Sequence, residues 1–114
     1  MNLQSLDLAK PFTTKDGSTI RELHHTAAQS LAEAALEPGQ ATERHYHGQT
    51  EEIYLVTKGS GSLEVDGETR RVRPGDAVLI SPGEWHTLEN DGTSELLILC
   101  MCSPPYSHED TFFE

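Results

Sequence analysis

Gly39-Gln40-Ala41-Thr42-Glu43-Arg44-His45-Tyr46-His47-Gly48-Gln49-Thr50-Glu51-Glu52-Ile53-Tyr54-Leu55-Val56-Thr57-Lys58-Gly59 is the stretch on which the reading of this chain turns. In an extended strand, positions two apart face the same side, so His45 and His47 project together while Tyr46 points away. Gly48–Glu51 is a connection short enough to reverse the chain, and Glu52 then opens a returning strand beside His47. Two imidazole nitrogens and a carboxylate oxygen are thereby delivered to one point. Glu52–Lys58 is rich in Ile, Tyr, Val and Thr, the residues that favour strands. By parity Tyr54 shares the inward face with Glu52, as a candidate pocket group or a core tyrosine.

Outward from this stretch, breakers recur at short intervals: Asp16-Gly17, Pro38-Gly39, Gly59-Ser60-Gly61, Asp66-Gly67, Pro74-Gly75, Ser81-Pro82-Gly83, Asn90-Asp91-Gly92 and Pro104-Pro105. Regular turn signals separating short runs predict an all-β sandwich or barrel. Gly61–Val65 and Glu68–Val72 flank Asp66-Gly67, a strong hairpin signal. Ala77–Ile80 and Glu95–Met101 are continuous apolar runs, consistent with strands buried on both faces. Thr26–Leu36 dissents: its five alanines favour helix on propensity. A barrel nonetheless needs a strand there, and Ser30–Glu37 is expected to be one. His86 follows the Ser81-Pro82-Gly83 turn, from which it can supply a third imidazole, with Trp85 facing away.

A lone His-x-His is a weak signal, and a nearby glutamate adds little in so acidic a chain. The spacing adds more. The sequence resembles the cupin superfamily, in particular its small single-domain bacterial members of the conserved-barrel, mannose-6-phosphate-isomerase-like type. The first motif of that family, G-x5-H-x-H-x3–4-E-x6-G, is met by Gly39, His45, His47, Glu52 and Gly59. Only Glu52, not Glu51, leaves six residues before Gly59. The second, G-x5-P-x-G-x2-H-x3-N, is met by Gly75, Gly83, His86 and Asn90, with Ser81 where the proline is usual. Fifteen residues separate the motifs, Gly59 to Gly75, a spacing that matches small bacterial cupins.

The resemblance implies a double-stranded β-helix, a jelly-roll barrel, in a single domain over 1–114, with the motifs at 39–59 and 75–90. It also implies His45, His47, Glu52 and His86 as ligands of one divalent transition metal ion (zinc, iron, manganese or nickel). Such a donor set leaves coordination positions open to water, oxygen or substrate. Three functional readings follow. The first is a metal-dependent enzyme acting on a small polar substrate, a sugar or an organic acid. The second is a non-catalytic small-molecule binding or sensing protein, and the third an iron-dependent dioxygenase. Tyr54 and His108 are the candidate catalytic side chains. His108 falls in Pro104-Pro105-Tyr106-Ser107-His108-Glu109-Asp110, a stretch rich in acid–base groups. The segment 103–114 is expected to be a tail or lid.

Eight Lys plus Arg against nineteen Asp plus Glu give a net charge of −11. That balance excludes a nucleic-acid footprint and an anionic membrane surface as partners. The start of the chain, Met1–Asp7, has neither a basic region nor an apolar run of signal-peptide length. Cys100 and Cys102, separated by one residue, cannot bridge without strain and read as buried thiols of a reducing compartment, so a cytoplasmic location is expected. His24-His25 face opposite sides of a strand and are poor partners for a second metal. Cupins often dimerise by pairing sheet edges or N-terminal strands, so a homodimer is expected.

Overall fold

A computed structural model describes residues 1–114. After a 3₁₀ turn at Leu6–Leu8, eleven strands follow: β1 Phe12–Thr13, β2 Thr19–His25, β3 Ser30–Leu36, β4 His45–His47, β5 Glu51–Lys58, β6 Gly61–Val65, β7 Glu68–Val72, β8 Ala77–Ile80, β9 His86–Glu89, β10 Leu96–Ser103 and β11 Thr111–Phe113. They form two antiparallel sheets, one of six strands in the order β1-β2-β3-β10-β5-β8 and one of five in the order β11-β4-β9-β6-β7. This is the expected jelly roll. No helix is long and apolar enough to cross a membrane.

The core lies between the sheets and is built from alternate residues of both. Ala34, Leu36, Tyr54, Val56, Ile80, Leu96 and Ile98 from one sheet meet Leu63, Val72 and Leu88 from the other. The alanine-rich segment is strand β3, as tertiary context required. It is hydrogen-bonded on one side to β2 and on the other to β10, with Leu96 opposite Leu36 and Cys102 opposite Ser30. Two neighbouring strands supply partners for its backbone groups, which outweighs a per-residue helix preference of a few tenths of a kcal/mol. Its inward residues Ser30, Ala32 and Ala34 are small, and the space they leave becomes the cavity described below.

Two expectations need correction. Ala77–Ile80 is not buried on both faces: β8 is the edge of the six-stranded sheet, where Ile80 is buried at 1% but Leu79 is 55% exposed. Nor is 103–114 simply a tail, because Thr111–Phe113 pairs with β4, placing Thr111 opposite His47 and Phe113 opposite His45.

The motif residues have concrete roles. Gly59 has φ +76°, and a Cβ there would collide with the Glu95 carbonyl, so only glycine fits this close crossing of backbones. Asp76 caps its corner by accepting from the Arg73 amide at 2.9 Å. Asn90, fully buried, donates to the carbonyls of Leu36 and Ser94, both at 2.9 Å, and accepts from the Gly92 amide. It thus ties the end of β9 to β3 in the other sheet.

Candidate metal centre

β4 and β9 are neighbours, with His45 opposite His86. Because His45 and His47 are two apart on β4, all three imidazoles enter the barrel from one sheet. Their candidate ligand atoms lie within 4.8 Å of one another, and all three residues are buried. Glu52 arrives from β5 in the opposite sheet. Its Oε1 stands 3.3 Å from Nε2 of His47 and 3.6 Å from Nε2 of His86. Tyr46 and Trp85 face outward as parity predicts, their rings 4.7 Å apart, with the Arg44 guanidinium over Trp85.

Each histidine is oriented by its other nitrogen. Nδ1 of His45 lies 2.6 Å from the Glu43 carbonyl, and Nδ1 of His86 lies 2.9 Å from that of Glu84. A carbonyl can only accept, so both Nδ1 atoms carry the proton and both Nε2 lone pairs are left for the barrel interior. His47 reaches the same state through Thr111, whose Oγ1 is 3.1 Å from Nδ1. That hydroxyl donates its own proton to the Ser107 carbonyl at 2.8 Å, so towards His47 it accepts.

The carboxylate is held in a similar way. Cys102 Sγ donates to Glu52 Oε2 at 3.2 Å, leaving Oε1 towards the imidazoles. Burial, with the neighbouring His86 and His47, pushes His45 below its usual value and keeps it neutral. Glu52 Oε1 and His86 Nε2 are buried with no hydrogen-bond partner. Orphaned buried polar atoms are costly in a folded protein. A cation bound by these lone pairs would satisfy both, and three neutral imidazoles with one carboxylate suit a divalent transition metal.

The cluster opens on a cavity of about 80 Å³, room for a few waters or a ligand of several heavy atoms. Tyr54 lines it, its ring T-shaped against His86 at 5.9 Å, with its phenol pushed well up by burial and then by Glu52. Cys100, Cys102, Tyr106 and Asp16 line it too, and no lysine or arginine does. His108 is exposed and lies outside the cavity wall, so the segment's contribution is Tyr106, with its ring 6.0 Å from His47. Glu51 is exposed on the outer side of β5. His25 bonds Glu22 at the surface.

Sequence reasoning missed Asp16, Cys102 and Thr111. Parity put Cys100 and Cys102 on one side of a strand, but only the pairing of Cys102 with Glu52 across β10 and β5 reveals their role. Nothing local marks Asp16 or Thr111.

Residues 32–102 match the Cupin domain family. The chain is 47% identical over 110 residues to the uncharacterized protein MJ1618 of Methanocaldococcus jannaschii, covering 92% of this chain and 88% of that one. It is 31% identical over 81 residues to the oxalate-binding protein of Thermotoga maritima, covering 71% and 67%. Among solved structures it is similar to KdgF from Halomonas sp., with a TM-score of 0.85, 20% identity and coverage of 96% and 97%.

Proposed function

The chain belongs to the cupin family, and on that premise we propose that it is a metal-dependent enzyme acting on a small polar molecule. His45, His47 and His86, with Glu52 completing the set, would hold one divalent transition metal. The observation that carries this reading is the convergence of three Nε2 atoms whose Nδ1 partners are already fixed, around the orphaned Glu52 Oε1. Such an ion, when bound, supplies Lewis-acid polarisation of a coordinated oxygen. The chain's own residues do the rest. The apolar wall of Ala34, Leu36, Leu96 and Ile98 limits water, and the Tyr54 phenol stays protonated, able to donate to a ligand oxygen.

The alternative, a binding or sensing protein, shares the metal and differs at Tyr54. Turnover that Tyr54→Phe abolishes while ligand affinity survives supports the enzyme. The absence of turnover with every bound ligand supports the binder.

Elemental analysis of protein purified without chelators tests the centre itself. One transition metal per chain is expected, lost in His45→Ala. A metal-free chain, or His45→Ala with unchanged uptake, overturns the assignment.

Two further parts of the reading rest on surface and redox chemistry. The free thiols Cys100 and Cys102 support a reducing compartment, the cytoplasm. The outer face of the six-stranded sheet aligns Leu31, Met101, Ile53 and Leu79 in one row, beside Leu99 and Leu55. An apolar sheet face of this kind supports a homodimer packed through it.

A further inference from the structure

The cavity has a second polar pole that the metal reading does not use. The turn Thr14–Ser18, between β1 and β2, carries Asp16 on the cavity wall. One of its carboxylate oxygens, Oδ1, accepts three hydrogen bonds, from Thr14 Oγ1 at 2.6 Å, from Ser18 Oγ at 2.6 Å and from the Ser18 amide at 3.0 Å. Ser18 is itself only 1% exposed, so the turn is anchored in the barrel. Oδ2 takes no bond from the chain, which leaves one lone-pair-bearing atom of a fixed carboxylate for a ligand.

The charge of Asp16 is felt across the cavity. Burial chiefly pushes up the Tyr54 and Tyr106 phenols and the Cys100 thiol, and Asp16 adds to the effect in all three. Nothing positive offsets it. The lining holds the carboxylates of Asp16 and Glu52 and no lysine or arginine, while Glu22 turns its carboxylate out to His25 at the surface. Arg44, the basic residue nearest the ligands in sequence, is outside, paired with Glu64 and Glu114. A divalent ion is already matched by the carboxylates of Asp16 and Glu52, and an anionic ligand would carry the site to net negative charge at low dielectric. A neutral hydroxyl, by contrast, donates to a carboxylate in a strong charge-assisted bond.

We propose that Asp16 is a ligand-binding residue of this cavity and that the ligand is a small neutral hydroxylated molecule, a polyol or hydroxycarbonyl. Oxygens at one end of it meet the His45–His47–His86 cluster, and a hydroxyl at the other donates to Asp16. This rests on the metal reading above and narrows it from small polar molecules in general. It also separates this chain from its Thermotoga maritima relative, whose oxalate-binding role needs a dianion to be welcome.

The test uses the full chain loaded with Co²⁺, whose visible spectrum reports ligand binding. Two probes, dihydroxyacetone and oxalate, are titrated, and each affinity is divided by that for free Co²⁺ in the same buffer. Asp16→Asn keeps an oxygen acceptor for Thr14 and Ser18, removes the charge and replaces the free Oδ2 acceptor with an N–H donor. It is expected to weaken dihydroxyacetone roughly tenfold, the worth of one hydrogen bond to a charged group, and to tighten oxalate. If both probes move in the same direction, or neither moves, the inference is overturned, as it is if the wild-type chain takes oxalate but not dihydroxyacetone.

A comparison on the wild-type protein needs no folded variant. Hydroxyacetone lacks the second hydroxyl and is expected to bind roughly tenfold more weakly than dihydroxyacetone. Equal affinity overturns the role of Asp16. A chain that takes up no Co²⁺ fails earlier and overturns the metal centre with everything built on it, whereas failure with Co²⁺ bound strikes this inference alone.

Discussion

The Thr111 hydroxyl accepts from Nδ1 of His47 across 3.1 Å and passes its own proton to the Ser107 carbonyl, so one tautomer of His47 is written into the pairing of β11 with β4. Removing that hydroxyl leaves the imidazole free to rotate and to carry its proton on the wrong nitrogen. Thr111→Val is therefore expected to lower metal affinity by roughly tenfold or more, while Thr111→Ser keeps it. Competition against a calibrated chelator measures both, and equal affinities for the Val and Ser variants would remove Thr111 from the centre.

The thiols should be silent. Burial, followed by the charge of Glu52, raises both Cys100 and Cys102 well above the usual thiol range. The thiolate is the reactive form. A chromogenic disulfide reagent at neutral pH is expected to label neither cysteine in the native protein and both after unfolding. Rapid native labelling of Cys102 would mean that its bond to Glu52 is not formed in solution.

Protons should destabilise the metal-free protein. His45 is held below 6.5 by burial, so under about pH 6.5 the unfolded chain takes up a proton that the folded chain refuses. That contribution is complete above 6.5 and is lost as pH falls. The Tm of chelator-treated protein is therefore expected to fall as pH drops through 6.5. A Tm that stays flat as pH drops through 6.5 would contradict the buried neutral state of His45.

The convergence of His45, His47 and His86 with Glu52 facing them, the hairpin at Asp66-Gly67 and strand β3 could be read from the sequence, because each depends on local spacing or on one well-marked motif. The supports of the centre could not. Cys102 meets Glu52 from 50 residues away and Thr111 meets His47 from 64, and no local pattern encodes contacts of that separation. Ala77–Ile80 failed for another reason. A continuous apolar run looks alike in a strand covered on both sides and in an edge strand whose outer face is itself apolar, as Leu79 is.

That outer face yields a prediction of its own. Leu79→Lys places a charge at the end of the Leu31–Met101–Ile53–Leu79 row and is expected to convert a dimer into monomers of 12.6 kDa. Light scattering after size exclusion measures this directly. A wild-type chain already monomeric at high concentration would dispose of the dimer.

Gly59 tests the barrel rather than the site. With φ +76° and the Glu95 carbonyl in the way of any Cβ, Gly59→Ala is expected to cost about 2 kcal/mol in urea unfolding. A smaller loss would mean that the β5–β6 corner relaxes away from β10.

The donors come from opposite halves of the molecule, the three histidines from the five-stranded sheet and Glu52 from the six-stranded one. An ion held between them would act as a rivet, fastening two layers that otherwise meet here through side-chain packing alone. Its loading would then register mechanically: amide hydrogens of β4, β5 and β9 should slow their exchange together, while those of the Asp66-Gly67 hairpin tip keep their rates.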